Sequence, residues 1–242
     1  MATSTKPKTD YEKWQDTIDQ AKTDARWNGL DDEIKTALSE YGTHLAKSSK
    51  GFPPLGVRLI KAMVWTESGG PDNKAWATRP MQIGNAGDPG LKALLSGHEG
   101  GEIIMPPALR LKLSTANVST PAMNIRAGIG YLLLRAATFE HVTVFDAIDT
   151  AVHEVTVKAG DSLSKIAAAQ GTTIETLSKL NPTAVAMIKP GQTLKYRKAS
   201  VRKVVKSWSS ITTALIAQRY NTVKGDPAYQ KKLDYCLTVM AP

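Results

Sequence analysis

The sequence has a single cysteine and no apolar run that could cross a bilayer. A transmembrane helix needs roughly 18 or more consecutive apolar residues, so we expect no stable membrane insertion. The N-terminal residues MATSTKPKTD lead into polar YEKWQDTIDQ, where a secretion signal would have an apolar core. We therefore expect synthesis in the cytoplasm without a signal peptide. A target outside that compartment would require a separate export or delivery route.

The cysteine and the histidines do not form a sequence pattern typical of a nucleophilic cysteine or a metal site. Cys236 lies in the apolar periodic run LDYCLTVM, a pattern typical of a buried structural residue. A nucleophilic cysteine needs a histidine partner, and a zinc site needs closely spaced ligands. Neither pattern is found around the four histidines, which are His44, His98, His141 and His153. We expect no metal and no cofactor.

The formal net charge of +9 indicates an anionic partner, which could be nucleic acid, a membrane surface or a bacterial wall. No basic run is interleaved with aromatic residues as in a single-strand binding groove, so we do not expect nucleic acid. With 242 residues and 42% hydrophobic content, the chain can form one sizeable core, or a larger domain with a small satellite.

Amphipathic patterns predict helices in the first 70 residues. The segment DDEIKTALSEYGTHLAKSS carries one apolar stripe, and PLGVRLIKAMVWTES, opened by Pro53 and Pro54, carries another. The second stripe ends in a carboxyl group: Ile60, Met63, Val64 and Glu67. Gly69 and Gly70 must end this helix, so Glu67 is expected in its last turn beside a loop.

Glu67 is a candidate functional residue because a negative charge at a helix C-terminus is electrostatically unfavourable. The alternative is an ordinary solvated glutamate at a helix end. Residues 72–117 are rich in glycine, which suggests tight turns lining a cleft. Thr120 and Pro121 are then expected to begin a helix over PAMNIRAGIGYLLLRAATF, whose small residues, Ala127, Gly128 and Gly130, would let another helix approach closely.

Residues 153–198 have a different pattern from the segments on either side. HEVTVKAGD is a short alternating strand, SLSKIAAAQ and TIETLSKLN are amphipathic helices, and GQTLKYRK is a second strand. The order is β-α-α-β. The chain then returns to helix in SWSSITTALIAQRYN and in DPAYQKKLDYCLTVM, where Asp226 and Pro227 are the expected N-cap and first position.

The segment 153–198 resembles a LysM module. The resemblance is carried by VKAGDSL at 157–163, by Ile166 and Ala167, by LSKLNP at 177–182 and by IKPGQTL at 188–194. It implies a small fold that binds glycans containing N-acetylglucosamine in a groove between two loops. The implied contacts are Gly160, Asp161, Ser162, Leu163, Asn181, Pro182, Ile188 and Lys189. The alternative for the polar ones is structural: Asp161 caps the first helix and Asn181 with Pro182 makes a turn.

The flanking parts resemble the lytic transglycosylase and goose-type lysozyme superfamily. Four blocks follow the family's order: Glu67-Ser68, Met81-Gln82-Ile83, NIRAGIGYL at 124–132 and AQRYN at 217–221. The resemblance implies that Glu67 is the general acid/base and that Ser68 supports the site. It further implies that Met81 and Gln82 contact saccharide and that Tyr220 hydrogen-bonds near the glutamate.

Cleavage of a β-1,4 glycosidic bond requires a proton for the leaving oxygen, which a carboxylic acid in apolar surroundings can hold near neutral pH. The apolar surroundings are expected from Met63, Val64, Trp65 and Trp76. The family's G-L-M-Q is here replaced by RPMQ at 79–82, and no aspartate follows Ile83 directly. Asp72 and Asp88 are the nearest candidates for a second catalytic carboxylate, although Asp88 before Pro89 is also typical of an N-cap.

These patterns predict a mainly α (α+β) protein with a lysozyme-like helical catalytic domain, 1–152 and 199–242, and an inserted LysM module, 153–198. The expected partner is a peptidoglycan strand, cut between MurNAc and GlcNAc as a lytic transglycosylase or a muramidase by a monomer acting in the periplasm or on the wall. A non-catalytic wall-binding protein and a chitin-directed enzyme remain alternatives. The expected setting is either an antibacterial effector of type VI secretion, with an immunity (inhibitor) protein encoded nearby, or a phage endolysin or tail lysozyme.

Overall fold

The structure is a computed structural model that describes residues 6–183, 187–221 and 226–240. About 53% of the chain is helical and the sheets are small, which confirms the mainly α expectation. No helix among these residues is both long and apolar enough to span a bilayer. The chain divides into two compact units, one formed by 1–138 and 205–242 and the other by 139–204.

The first unit is helical, with two short 3-10 turns after its first helix. Its helices are α1 (Asp10–Asp19), α2 (Asp31–Ser48), α3 (Val57–Ser68), α4 (Lys74–Thr78), α5 (Pro89–Leu95), α6 (Gly101–Ile104), α7 (Pro107–Lys112), α8 (Pro121–Ala136), α11 (Thr213–Arg219) and α12 (Pro227–Val239). The central helix is α8, which is buried along nearly all its length and packs against α2, α5 and α11. The helix that carries Glu67, α3, packs against α2 and α12.

Local signals account for several helix ends. Gly69 adopts a left-handed φ of 72° and ends α3, as predicted. Asp226 and Thr120 are the N-caps of α12 and α8, each followed by proline. One expectation about helix starts is wrong: the pattern was expected to open at Pro53 and Pro54, but the chain there is not helical, Gly56 is an extended N-cap, and α3 starts at Val57.

The small residues of α8 make room for side chains. A Cβ at Gly128 would lie 2.5 Å from Met81 Sδ, and a Cβ at Gly130 would collide with Tyr41 Oη. Tyr41 belongs to α2, so Gly130 allows another helix to approach α8 closely, as the sequence predicted. At Gly128, however, the neighbour is the Met81 loop, and this contact fixes that loop against the core.

The second unit contains the β-α-α-β order expected from its sequence. Strands β2 (His153–Thr156) and β3 (Thr193–Tyr196) pair antiparallel, with Val155 opposite Leu194. Helices α9 (Leu163–Gln170) and α10 (Ile174–Leu180) lie between them in sequence. The core of this unit consists of Val157, Ile166, Ala167, Leu177, Leu194 and Tyr196.

Two further strands were not predicted. β1 (Ala137–Phe145) pairs with β4 (Ala199–Trp208) in a separate two-stranded sheet, at positions where the helical patterns were expected to continue to Phe139 and to begin before Trp208. The second unit therefore includes most of this ribbon and is longer at both ends than the segment 153–198, while the ends of both strands, 137–138 and 205–208, belong to the first unit.

Candidate functional site

A cavity of about 410 Å³ lies in the helical unit at the end of α3. Three stretches distant in sequence form its wall, namely the last turn of α3, the loop before α5 and the end of α11. The lining residues are Glu67, Met81, Gln82, Ile83, Asn85, Ala86, Gly87, Asp88, Tyr220 and Asn221. Four of the site residues predicted for the helical unit, Glu67, Met81, Gln82 and Tyr220, thus share one cavity with Asp88.

Glu67 is half-buried in the last turn of α3 and contributes a carboxyl group to this cavity. Its Oε1 accepts a hydrogen bond of 2.5 Å from the hydroxyl of Tyr229, which α12 positions. Tyr229 is itself only 8% exposed. The carboxyl group therefore has one strong donor on the protein side and faces the cavity otherwise.

Burial raises the pKa of Glu67 from 4.5 to about 7. The hydrogen bond from Tyr229 and the charge of Lys232 act in the opposite direction, and the nearby charge of Asp88 adds to the increase. Desolvation is the main cause because a carboxylate loses more hydration than a neutral carboxyl when it leaves water. Near neutral pH a large fraction of the protein therefore carries a proton on Glu67.

Asn124 holds the loop that contains Met81 and Gln82. Its side-chain oxygen accepts from Met81 N at 2.8 Å, and its Nδ2 donates to Ile83 O and Val118 O at 2.9 Å each. The buried amide thus has three backbone partners. Through this network, Asn124 on α8 anchors the loop of Met81 and Ile83, which forms part of the cavity wall.

Gln82 is the one non-glycine residue with positive φ (54°) within the described residues. Its side chain is held in place: Oε1 accepts from Asn85 Nδ2 at 2.5 Å and Nε2 donates to Arg79 O at 3.1 Å. A left-handed backbone costs free energy for a residue with a Cβ and occurs often at functional sites. The segment RPMQ at 79–82 thus forms a tightly constrained loop at the cavity.

The two candidate second carboxylates do not have equal positions. Asp88 lines the cavity, but its oxygens accept from the backbone N–H groups of Gly84 and Gly90 at 2.7 and 2.9 Å, and it caps α5. Asp72 is exposed and pairs with Arg26 at 2.6 Å, outside the cavity wall. We therefore withdraw Asp72 as a catalytic candidate and assign Asp88 a capping role, the alternative that its sequence context offered.

The hydroxyl groups of Ser68 and Tyr220 donate hydrogen bonds to backbone carbonyl groups of the protein. Ser68 is buried, donates to Val64 O at 2.6 Å, and lies outside the cavity lining, so it closes the helix end and has no place for direct contact with a ligand. Tyr220 lines the cavity, but its hydroxyl donates to Met81 O at 2.8 Å, not to Glu67. Its ring packs on Tyr131 of α8, with centroids 5.4 Å apart.

The apolar surroundings of Glu67 differ from expectation. Trp65 and Trp76 pack on Trp27, with ring centroids 5.0 and 6.0 Å from it, and do not line the cavity. Met81, Ile83 and Tyr220 line it instead. The spacing along α3 identified the face on which Glu67 lies but not the loop that covers it.

Sequence reasoning missed Tyr229, Asn124 as an anchor, and Asn85. Tyr229 shares the buried face of α12 with Leu233 and Cys236, a spacing of i, i+4 and i+7 that was readable as a packing stripe. Cys236 is buried as predicted, and burial raises the pKa of its thiol to about 12, which disfavours the thiolate form. In the described part of the chain, no group of three or more potential ligands is arranged to hold a metal ion.

In the second unit, the loop before α9 uses its polar side chains on its own backbone. Asp161 accepts from Lys158 N at 2.7 Å and so closes the turn, while Ser162, not Asp161, caps α9. Gly160 has a φ of 81° and is exposed, and Leu163 packs against the core. The exposed groups at this loop are therefore mainly backbone groups around Gly160.

In the segment between α10 and β3, some of the predicted contact residues are likewise used within the domain and others are exposed. The Asn181 side chain donates to Leu177 O and Lys195 O and accepts from Lys195 N, at 2.7 to 2.8 Å. Ile188 packs against the core, whereas Pro182 and Lys189 are exposed. Of the eight residues predicted to contact glycan, three are exposed: Gly160, Pro182 and Lys189.

Comparison with known families identifies part of the second unit. Residues 155–196 match the LysM domain family. This part of the chain is a LysM domain, a peptidoglycan-binding module. No curated protein and no solved structure matches the chain.

Proposed function

We propose that the protein is a peptidoglycan glycosidase that cleaves the β-1,4 bond between MurNAc and GlcNAc, with Glu67 as the proton donor and the LysM domain as its wall anchor. One observation carries the proposal: a carboxyl group with a pKa raised to about 7 by burial faces a cavity in the helical unit of a chain that also contains a LysM domain. A perturbed acid in a cleft is a common sign of a catalytic site.

The chemistry needs one proton at one oxygen. Protonated Glu67 gives its proton to the glycosidic oxygen as the bond from that oxygen to C1 of the muramic residue breaks. The 2.5 Å hydrogen bond from Tyr229 then stabilises the carboxylate that forms. The same carboxylate then accepts a proton from the attacking hydroxyl group in the next step.

The attacking group distinguishes a lyase from a hydrolase. Hydrolysis with inversion needs a second carboxylate that activates water. Asp88 is the other carboxylate of the cavity lining, and both its oxygens are engaged by backbone N–H groups. This favours attack by the 6-hydroxyl of the muramic residue on its own C1, which returns a proton to Glu67 and leaves an anhydro product.

The LysM domain keeps the enzyme near its substrate. Binding of one part of a chain to the wall raises the effective concentration of the other part at the same polymer. The domain carries seven Lys and Arg against three Asp and Glu over 153–198, which suits an anionic wall. We expect glycan amides and hydroxyls to meet the backbone around Gly160 and the exposed residues Pro182 and Lys189.

The decisive test is Glu67→Gln, which keeps an acceptor for Tyr229 and removes the proton donor. Release of soluble muropeptides from purified sacculi is expected to fall by a factor on the order of 10² to 10⁴, the usual contribution of a general acid. Asp32→Asn, at an exposed residue of α2, is the matched acid-to-amide control. Circular dichroism verifies that both variants are folded.

Product mass separates the two reactions. An anhydro-muramic end is lighter than a reducing end by one water, so mass spectrometry of the released fragments distinguishes lyase from muramidase. Equal release by wild type and Glu67→Gln would refute the acid role. Binding to sacculi with no release from wild type would identify a non-catalytic wall-binding protein.

A further inference from the structure

A surface patch of the helical unit combines aromatic rings with lysines where α1 meets α12. It consists of Tyr11, Trp14, Tyr235, Lys231 and Lys232, and we refer to it as the aromatic-lysine patch. Tyr11 and Trp14 are stacked with centroids 5.7 Å apart, and Tyr235 lies 6.5 and 5.9 Å from them. The ammonium groups of Lys231 and Lys232 lie 4.3 and 5.3 Å from the ring centroids of Tyr11 and Trp14.

The two ammonium groups of the patch are available for an anion. Within the described residues, Lys231 and Lys232 have ring contacts and no ion pair with a carboxylate. The one acid that hydrogen-bonds the patch, Asp19, accepts from Tyr235 at 3.0 Å and is paired with Lys22 at 2.7 Å. Ring faces orient the lysines without neutralising them.

The patch shares helix α12 with Tyr229, the hydrogen-bond donor to Glu67. Lys232 follows Tyr229 by three residues, so both lie on neighbouring positions of one helix face. Although burial dominates the pKa of Glu67, the charge of Lys232 is close enough to lower it. Lys232 is therefore the member of the patch whose charge acts on Glu67.

We propose that the aromatic-lysine patch binds the peptide stem of the muramic residue that is being cut. This inference rests on the proposed function. The stem hangs on the lactyl group of that residue and carries free carboxylates, while the glycan backbone itself presents hydroxyls and amides. Two unpaired ammonium groups flanked by aromatic rings suit an extended anionic peptide better than a neutral sugar.

The alternative is that the lysines serve only to clamp α1 onto α12. A clamp changes the stability of the helical unit but treats all substrates equally. A stem-binding patch changes the preference between strands with and without peptides. The ratio of the two kcat/KM values measures this preference, and any shift in the pKa of Glu67 cancels in that ratio because it affects both substrates.

The test uses one batch of glycan strands, half of it treated with an amidase that removes the stem peptides. Wild type is expected to prefer the peptide-bearing strands. The double variant Lys231→Met/Lys232→Met is expected to lower the ratio by about three- to tenfold, the range for one or two exposed charge-assisted contacts. Lys231→Arg/Lys232→Arg keeps the charge and should keep most of the ratio. Lys13→Met, on α1 beside Tyr11 and Trp14 in sequence and paired with Asp10, removes a charge outside the patch and should leave the ratio unchanged.

A ratio that stays the same in the double methionine variant overturns the stem-binding role, whether or not urea unfolding shows a loss of stability. If wild type cuts neither substrate, the proposed function fails. In that case calorimetry still tests the patch, because a soluble disaccharide-peptide should bind wild type more tightly than the double variant. Equal binding by the two proteins overturns the inference.

Discussion

Two polar side chains of this protein have opposite environments. Glu67, in the helical unit, has one hydrogen bond from Tyr229 and a pKa that burial raises to about 7. Asn181, in the LysM domain, has three hydrogen bonds to backbone groups, which fix β3 against the end of α10. The single hydrogen bond only partly replaces the water that Glu67 loses on burial. In Asn181, by contrast, both the side-chain nitrogen and the side-chain oxygen have backbone partners.

The comparison separates two ways of using a polar group. A fully bonded amide lowers the free energy of the fold and has no bond left for a ligand. A half-bonded carboxyl destabilises its charged form and is therefore ready to exchange a proton. Under the proposed function, the helical unit uses a side chain for the chemistry, whereas the LysM domain uses its side chains to shape loops whose backbone meets the glycan.

The largest expected effect on stability comes from removing the charge at Glu67. Its folded pKa, about 7, lies above the ordinary value of 4.5, so the folded state binds the proton more tightly. Ionisation therefore costs stability as pH rises from about 4.5 through 7, up to about 3 kcal/mol. Glu67→Gln is expected to unfold at higher urea than wild type near pH 8 and at a similar concentration near pH 4.

The control for this pH dependence is Asp32→Asn, at an exposed carboxyl. Urea titrations at several pH values measure both variants. A difference between Glu67→Gln and wild type that does not grow with pH would mean that the Glu67 carboxylate is well solvated, and the contrast with Asn181 would disappear.

Asn181→Ala is expected to destabilise the LysM domain by about 1–3 kcal/mol, because Lys195 N–H and C=O lose their partner at the edge of β3. Hydrogen exchange at the Lys195 amide is the direct measurement. Asn181→Asp keeps the acceptor for Lys195 N but turns a carboxylate oxygen toward the carbonyl groups of Leu177 and Lys195, so it should destabilise the domain at least as much as alanine.

Binding decides whether Asn181 does more than shape the loop. At a temperature where Asn181→Ala is folded, its affinity for sacculi should remain close to that of wild type. A loss of binding by the folded variant would show that the amide touches the glycan, and the two side chains would then be alike in meeting a ligand.

Tyr229→Phe probes the one donor that Glu67 has. Loss of a charge-assisted hydrogen bond is expected to lower kcat by about tenfold. Although burial is the main influence on the pKa of Glu67, the Tyr229 hydrogen bond lowers it, so the alkaline limb of the pH profile should move to higher pH. Tyr220→Phe is the matched control, since that hydroxyl bonds Met81 O and should not move the limb. A limb that moves to lower pH contradicts this account.

The sequence predicts helices and strands well where the hydrophobic periodicity is regular and a capping residue marks the end. The β-α-α-β order, the end of α3 at Gly69 and the start of α12 after Asp226 were all predictable. The ribbon of β1 and β4 was not, although both strands are rich in β-branched residues. Each of these strands pairs with the other alone, and neither buries one regular face, so the alternation that marks a strand is missing.

The site shows a similar limit. Glu67 stands out because a carboxyl on an apolar stripe at a helix end is unusual, and this feature is local. Tyr229 lies 162 residues further along the chain, and no local pattern relates the two. Asp88 was readable as a cap and a catalytic candidate alike, because a cap and a general base use the same carboxylate. The backbone N–H groups of Gly84 and Gly90 decide between them, and only the fold places those groups.

The smallest expected effect is that of Asp72→Asn, the sequence candidate that the fold leaves outside the cavity. Its carboxylate is exposed and pairs with Arg26, and such surface pairs contribute about 0–1 kcal/mol. We expect muropeptide release within about twofold of wild type and a slight loss of stability. A loss of release as large as that of Glu67→Gln, with a reducing-end product, would instead make Asp72 the base for water. Glu67 would then be half of a carboxylate pair, and the lyase reaction would be excluded.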